Sequence, residues 1–388
     1  MNNTIIALEN LPRTCYSKVS PHVEKVPYLM PKNLPVKKDV LSLEAQSSHQ
    51  FDLFTFSLGL PAEHSNTIEF YDSIPKYAIT TAKQNRMRDD RGNMKPQKVH
   101  FVYRPTLKSE DGSEIIPREI PCVMTISPAQ IEEPDGSYKH YFPSIDEELV
   151  EEVLRKMLAE QQYGLHLVDN PETFVRYTVY LIGAELKRRN KTRSHAQIQK
   201  AIKILNETKY QIQAEGLPNG FEFKGSILPE IITKTRSDFQ NDPKSPSIAR
   251  FSALVSHGIN KLYFRQYNWV RLMDLKSELA RWLFKRMAHQ FTNASMTVPF
   301  CISYSEIGRD SGYLDKTRQT RNFAAVDKAW KELKKGDVIF RDVEKNPIYE
   351  GKKIIDIKYT VWASPNFKDE IVKANLKRKR ALEQLGRR

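Results

Sequence analysis

The sequence predicts an α+β fold, a small strand-rich region followed by two copies of a unit made of helices and a β-hairpin. Three observations predict it. Apolar residues recur with a period of two before residue 144 and with a helical period after it. Capping-box spacings, a Ser with Glu or Gln three residues on, open helices at Ser144, Ser194 and Ser303. The order helix, turn, helix, hairpin occurs twice, about 120 residues apart.

The elements follow in order. Residues 1–50 are polar and broken by prolines ("PYLMPKNLPVKKDV"), which predicts a mobile arm. A strand-rich region spans 51–143. "KVHFVYRPTL" (98–107) and "IIPREIPCVMTI" (115–126) flank Asp111-Gly112 and read as a hairpin, and "GSYKHYF" (136–142) as a third strand. Pro105, Pro117 and Pro121 place these strands at edges or bulges. From Ser144 a helix carries the stripe Leu149, Val153, Leu154, Met157 and Leu158. A second helix is expected over about 171–189, and a third from Ser194 to about Glu207. "YQIQ" and "FEFKGSIL" close the first unit as a hairpin, bounding it at 144–248. "SDFQNDPKSPS" (237–247) reads as a linker.

The second unit spans 249–370. It has a helix over 275–291, a short strand "VPFCIS", a capped turn at Ser303, and a helix over 316–335 that stops at Gly336. "DVIFRDVEK" and "IIDIKYTVWA" form its hairpin, and 371–388 is a basic tail. Two helix–turn–helix–hairpin units in tandem are the pattern of a tandem winged helix.

The chain has 61 Lys and Arg against 47 Asp and Glu, a net charge of +14, which suggests a polyanionic partner. Its three cysteines, Cys15, Cys122 and Cys301, are far apart, so neither a disulfide frame nor a zinc site is expected and a cytoplasmic setting is. No membrane span or signal peptide is expected. There is no G-x-x-x-x-G-K-[ST], no H-E-x-x-H and no nickase-like H-x-H with a tyrosine nucleophile. The acids at 146–148 suit the positive end of a helix, and His257 and His289 stand alone as structural residues. No enzyme activity, cofactor or metal is expected.

The position of the charge points to DNA. On the 316–335 helix, Phe323, Val326, Trp330 and Leu333 share one stripe at about 100° per residue. Thr317, Arg321, Ala324 and Lys328 lie opposite. An arginine can pair with guanine in the major groove, and an alanine lets the helix approach closely. Lys316 and Arg318 would sit near phosphates at the helix start. The 194–207 helix repeats the layout, with Ile198, Ile202 and Leu205 inward and Arg193, Ala196, Lys200 and Lys203 outward. Before it, "LKRRNKTR" holds Lys187, Arg188, Arg189, Lys191 and Arg193. The hairpins add Lys224 in the first unit, and Arg341, Lys345, Lys352 and Lys353 in the second.

Four segments carry a resemblance: "NTIEFYDSIPKYAI" (66–79), "VMTISPAQIEEPDGSYKHYFPSIDEELVEEVLRKM" (123–157), "RYTVYLIGAELKRRNKTRSHAQIQKAIKIL" (176–205) and "YFRQYNWVRLMDLKSELARWLFKRMAHQFTNAS" (263–295). Over about 66–362 the chain resembles bacterial plasmid replication initiators of the iteron-binding, twin winged-helix type, and the related secondary-chromosome initiator of vibrios. The resemblance implies a non-enzymatic protein that binds repeated double-stranded origin sites, promotes origin opening and recruits the host replicative helicase. It also implies repression of its own gene as a homodimer, a place in copy-number control, and recognition helices at 194–207 and 316–335. The strand-rich part before 144 is larger than in compact two-domain initiators, so the dimerisation surface is left unassigned. Two other readings share the same DNA-binding surface or its charge: a tandem winged-helix repressor without a replication role, and a primase or nickase.

Overall fold

The computed structural model describes residues 51, 54–55, 63–105, 119–160, 163–167, 172–214, 221–233, 246–315 and 317–384. The arm expected over 1–50, the Asp111-Gly112 turn, most of the 237–247 linker and Lys316 lie outside them. The fold is mixed α and β, with small antiparallel sheets and eleven helices among the described residues.

The first part runs β1 (His64–Ile68), α1 (Glu69–Ser73), α2 (Thr81–Met87), β2 (Gln97–Tyr103), β3 (Ile120–Ser127), β4 (Ala129–Glu132) and β5 (Tyr138–Tyr141). Next come α3 (Ile145–Ala159), β6 (Gly164–Leu167), β7 (Glu172–Tyr177), α4 (Val179–Arg188), α5 (His195–Glu207), β8 (Lys209–Ala214), β9 (Phe221–Gly225), β10 (Glu230–Ile232) and β11 (Ser247–Arg250). The last part is α6 (Ala253–Asn260), β12 (Phe264–Asn268), α7 (Trp269–Asp274), α8 (Glu278–Gln290), β13 (Phe300–Ser303), α9 (Tyr304–Ser311), α10 (Gln319–Lys335), β14 (Glu344–Glu350), β15 (Lys353–Val361) and α11 (Pro365–Gln384).

The strand order ties distant parts of the chain together. β8 and β9 form the expected hairpin, but β8 also pairs with β3, giving the sheet β2-β3-β8-β9. β1 pairs with β12, with His64 opposite Asn268. Both pairings join residues before 144 to residues of the later units. Gly258 on α6 belongs to this close fit, because a Cβ there would come within 2.3 Å of Ile68 Cγ2. Pro121 lies in β3, which is internal to its sheet. It opposes Val102 of β2, while the pairing with β8 begins one residue later at Cys122, so its missing N–H leaves no gap in that ladder.

The structure corrects several local expectations. The hairpin strand expected at "DVIFRDVEK" is instead β14 over Glu344–Glu350, which pairs with β15. The helix expected over 171–189 is strand β7 followed by α4, because Phe174 and Val175 pair with β6 on one side and β11 on the other. The helix expected from 316 begins at Gln319, and Thr317 and Arg318 precede it. Gly336 caps α10 without a left-handed backbone (φ −79°); Asp337 takes that conformation instead (φ 55°). The stretch read as a basic tail continues α11, whose Phe367, Ile371 and Ala374 are buried.

α3 is buried along nearly its whole length. Its apolar stripe is in the core as expected, and so are Glu147, Glu148, Glu151, Glu152 and Arg155. Glu147 accepts from Ser144 in the helix's own capping box, and the other charges meet partners from α8, α1 and neighbouring tyrosines. Arg281 of α8 makes a two-pronged pair with Glu148, at 3.0 and 2.6 Å. Lys285 bonds Glu152 and lies 3.2 Å from Asp72. Arg155 holds Asp72 at 2.5 and 2.8 Å, Tyr77 donates to Glu151, and Tyr267 donates to Glu152 at 2.8 Å. Burial opposes ionisation of Asp72, yet Arg155, Lys285 and Lys76 hold its carboxyl well below its ordinary value. This charged seam joins α3 to α8.

Candidate nucleic-acid interface

α10 is placed by its apolar side. Val326, Ala329, Trp330 and Leu333 are buried, and the Trp330 ring centroid lies 6.0 Å from that of Tyr359 on β15. Asn322, also buried, donates to the Asp315 carbonyl at 2.6 Å and to the Tyr304 hydroxyl at 3.0 Å, which seats the first turn. The opposite side carries Thr320, Arg321, Ala324, Ala325, Lys328, Lys331 and Lys335, all exposed. Arg321, Lys328, Lys331 and Lys335 have no ion pair or hydrogen bond with another described side chain.

The helix's two acids are engaged elsewhere. Asp327 holds Lys345 of β14 at 2.7 Å. Glu332 accepts from the Lys276 and Ser277 backbone N–H groups at 3.0 Å each, at the start of α8. The exposed side of α10 is therefore cationic, with Asp342, bound to Lys334 at 2.9 Å and close to Lys331, as the carboxylate beside it. Sequence reasoning found Arg321, Ala324 and Lys328. It missed Lys331 and Lys335, which the same 100° step places on that face.

The β14–β15 hairpin stands against α10. Gln319 Nε2 donates to the Ile354 carbonyl at 2.8 Å, and Asp356 accepts from the Ser305 N–H and hydroxyl at 2.9 and 2.6 Å. Lys352 and Lys353 are exposed at its turn. Arg341 lies 3.3 Å from the Trp362 ring centroid, a cation–π contact. Before the helix, the Thr317 hydroxyl donates to Asp315 at 2.8 Å, and Arg318 is exposed with its Nε 3.9 Å from the same carboxylate.

α5 presents less charge than its sequence suggests. Its capping box is complete: Ser194 N–H donates to Gln197 at 2.8 Å and Gln197 N–H to the Ser194 hydroxyl at 3.2 Å. Ile198, Ala201, Ile202 and Leu205 face the core. Lys200, expected on the open face, is half-buried under the β4–β5 hairpin, where Ala129 and Ile131 pack against Ile204. It binds Glu133 at 2.6 Å and lies 3.9 Å from the Tyr141 ring centroid. Burial opposes its charge, but the bonds to Glu133 and Tyr141 hold its pKa above the ordinary value. The open side of α5 holds His195, Ala196, Gln199, Lys203 and Glu207. His195 and Gln199 carry no fixed charge and so gave no signal in the charge pattern, although a glutamine can pair with adenine.

The preceding turn is also mostly committed. Arg193 binds Asp146 at 2.6 Å and the Thr192 carbonyl at 3.0 Å. Lys191 donates to the Leu275 carbonyl at 2.9 Å, and burial lowers its pKa. Arg189 lies over Trp269, and the exposed Arg188 bonds Glu185 at 2.9 Å. Lys187 and Lys203 are exposed and unpaired among the described residues. In the β8–β9 hairpin, Lys224 pairs with Glu222 at 3.2 Å.

Among the described residues, no group of three or more His, Cys, Asp or Glu side chains is placed to hold a metal ion, and no helix is long and apolar enough to cross a membrane.

Solved structures were compared with this chain. Domains 2 and 3 of RctB match with 12% identity and a TM-score of 0.42, over 74% of this chain and 98% of that one. The neighbours are replication initiators. A second structure of RctB domains 2–3 matches at 12% identity and TM-score 0.40, over 74% and 97% of the two chains. The Pi initiator protein, solved in complex with iteron DNA, matches at 15% and 0.39, over 57% and 91%. They are of the two kinds that the sequence resembles. No protein-family model and no curated protein matches the chain.

Proposed function

We propose that this chain is a replication initiator that binds repeated double-stranded sites at a plasmid origin through two winged-helix units. The observation that carries the DNA reading is the cationic face of α10, whose own two acids are held by Lys345 and by the start of α8. The order α8, β13, α9, α10, β14, β15 is that of a winged helix, with α10 as the helix that enters the major groove. α3, β7, α4, α5 and the β8–β9 hairpin follow the same order over 144–248, with the difference that this hairpin pairs with β3. The second unit takes 249–370. The region 51–143 supports both, with 1–50 and 371–388 as extensions.

In this reading Arg321, flanked by Thr320 and Ala324, reads base edges. Lys328, Lys331, Lys335, Arg318, Lys316 and the turn lysines Lys352 and Lys353 meet phosphates. Arg341, stacked on Trp362, and Thr317, bonded to Asp315, lie at the rim of the same contact. In the first unit Gln199, Lys203 and Lys187 make the contact with Arg188 beside them, while Arg189, Lys191, Arg193 and Lys200 hold the turn and helix in position. Two helices reading major-groove segments about one helical turn apart give a site of roughly 20 base pairs. The replication role, the recruitment of the host helicase, self-repression as a homodimer and the lack of enzyme activity follow from the sequence resemblance.

Footprinting on the DNA flanking the gene tests this. Protection of direct repeats that is lost in Arg321→Ala supports it. Protection of one palindrome favours the repressor, and nicking or primer synthesis with added Mg²⁺ favours the enzyme reading. No protection anywhere refutes the DNA reading.

A further inference from the structure

The β14–β15 hairpin carries apolar side chains that its own packing does not use. Ile348, Tyr349 and Ile355 are 48%, 58% and 45% exposed, and Pro347 beside them is exposed too. Every residue of β14 is exposed, and the sheet order β13-β15-β14 leaves it at the edge. The tip is a two-residue turn, with Glu350 opposite Lys353 and Gly351 in the left-handed conformation (φ 60°) that such turns need. The register passes from Ile348↔Asp356 to Tyr349↔Ile354, so Ile355 is an extra, bulged residue. That bulge lets Ile354 and Ile357 both face inward while Ile355 stays outside.

The hairpin is also held in place. Gln319 at the start of α10 bonds the Ile354 carbonyl, Asp356 bonds Ser305, and Lys345 bonds Asp327. The exposed apolar end therefore projects beside the first turn of α10, where Thr320 and Arg321 are. Lys352 and Lys353 are both exposed at the turn.

We propose that Ile348, Tyr349 and Ile355 form a wedge that enters the minor groove next to the segment met by α10 and unstacks a base step there. This rests on the DNA-binding reading above. Proteins that bend DNA through the minor groove insert apolar side chains between bases in this way, and the unstacking cost is offset by the further surface that the bent duplex brings into contact. Duplex DNA is favoured as the occupant because the tip is continuous with the cationic face of α10 through the Gln319–Ile354 bond and has exposed cations at its end. An edge strand can also pair with a second copy of the chain, and the test separates the two.

The test uses the full chain on a supercoiled plasmid carrying the DNA that flanks the gene, probed with permanganate, which reacts with unstacked thymines. The parent and the variant with Ile348→Ser, Tyr349→Ser and Ile355→Ser are compared at saturating protein. The parent should make thymines reactive at one step beside the α10 footprint, and the variant should lose about nine-tenths of that reactivity or more. Tyr349→Ala alone, the milder change, should lose part of it. Equal reactivity of parent and triple variant at saturation overturns the wedge, as does a parent that gives a footprint without reactive thymines. A variant that keeps the reactivity but sediments as a smaller species assigns the tip to self-association instead. A parent with no footprint overturns the DNA reading itself and the wedge with it.

Discussion

The distinction between free and committed cations can be measured. Replacing Lys328, Lys331 and Lys335 together by Ala removes three exposed charges that make no hydrogen bond or close ion pair with another described side chain. Alanine is the best helix former, and these side chains are exposed, so α10 should keep its fold. Each phosphate neutralised by a cation contributes about 0.9 to the slope of log affinity against log salt, so the triple variant's slope should be shallower by about 2.7. Between 50 and 200 mM salt the parent should then lose about 1.6 more decades of affinity than the variant. Fluorescence anisotropy of a labelled duplex across a salt series reads both quantities. Arg193→Ala is the control. Its charge is held by Asp146, so it should change the slope little and lower the melting temperature instead. An unchanged slope in the triple variant, with its melting curve intact, would show that this side of α10 does not face DNA. A large slope change in Arg193→Ala would show that the pair with Asp146 opens on binding.

Three further outcomes follow from the core. Arg281→Met leaves the buried Glu148 carboxylate uncompensated and should cost about 3–5 kcal/mol in urea unfolding, whereas adding Glu148→Met should recover much of that loss; equal single and double variants would refute the coupling. Trp330→Ala should destabilise the fold by about 3–5 kcal/mol, while Trp330→Phe should cost less, since the indole N–H has no partner among the described residues; unchanged melting in the Ala variant would contradict its burial. His289 is fully buried, and burial pushes its pKa down to about 3, so below its ordinary value the unfolded chain takes up a proton that the folded chain refuses. Its contribution to stability is complete above about pH 6.5 and is lost toward pH 3, by up to about 1.4 kcal/mol per pH unit. Glu147, pushed up to about 7 chiefly by burial, works in the opposite sense between its two values. The test is therefore the difference between parent and His289→Leu across pH 6.5 to 4; equal pH dependence in the two would show that His289 is not held neutral.

Much of the local structure was legible. The three serine caps start helices where the spacing said they would, because a cap involves only residues three positions apart. The phase of α10 was legible for the same reason: Val326, Trp330 and Leu333 are buried, and Arg321, Ala324 and Lys328 lie outside. The helix expected over 171–189 failed because Phe174 and Val175 find strand partners on both sides, and the partner β11 is about 70 residues away in the chain.

What the sequence determined by itself is the set of short-range features: where helices begin, which residues share a face, and the net positive charge. Tertiary structure alone decided what covers each face. Helical periodicity shows that Lys200 points away from Ile198 and Ile202, but not that the β4–β5 hairpin lies there and binds it to Glu133. It shows the glutamates of α3 in a row, as on any solvated helix, but not that Arg281 and Lys285, more than 130 positions later, neutralise Glu148 and Glu152 within the core. A charge is free or committed according to the neighbours it meets, and those neighbours come from parts of the chain whose proximity no local pattern encodes.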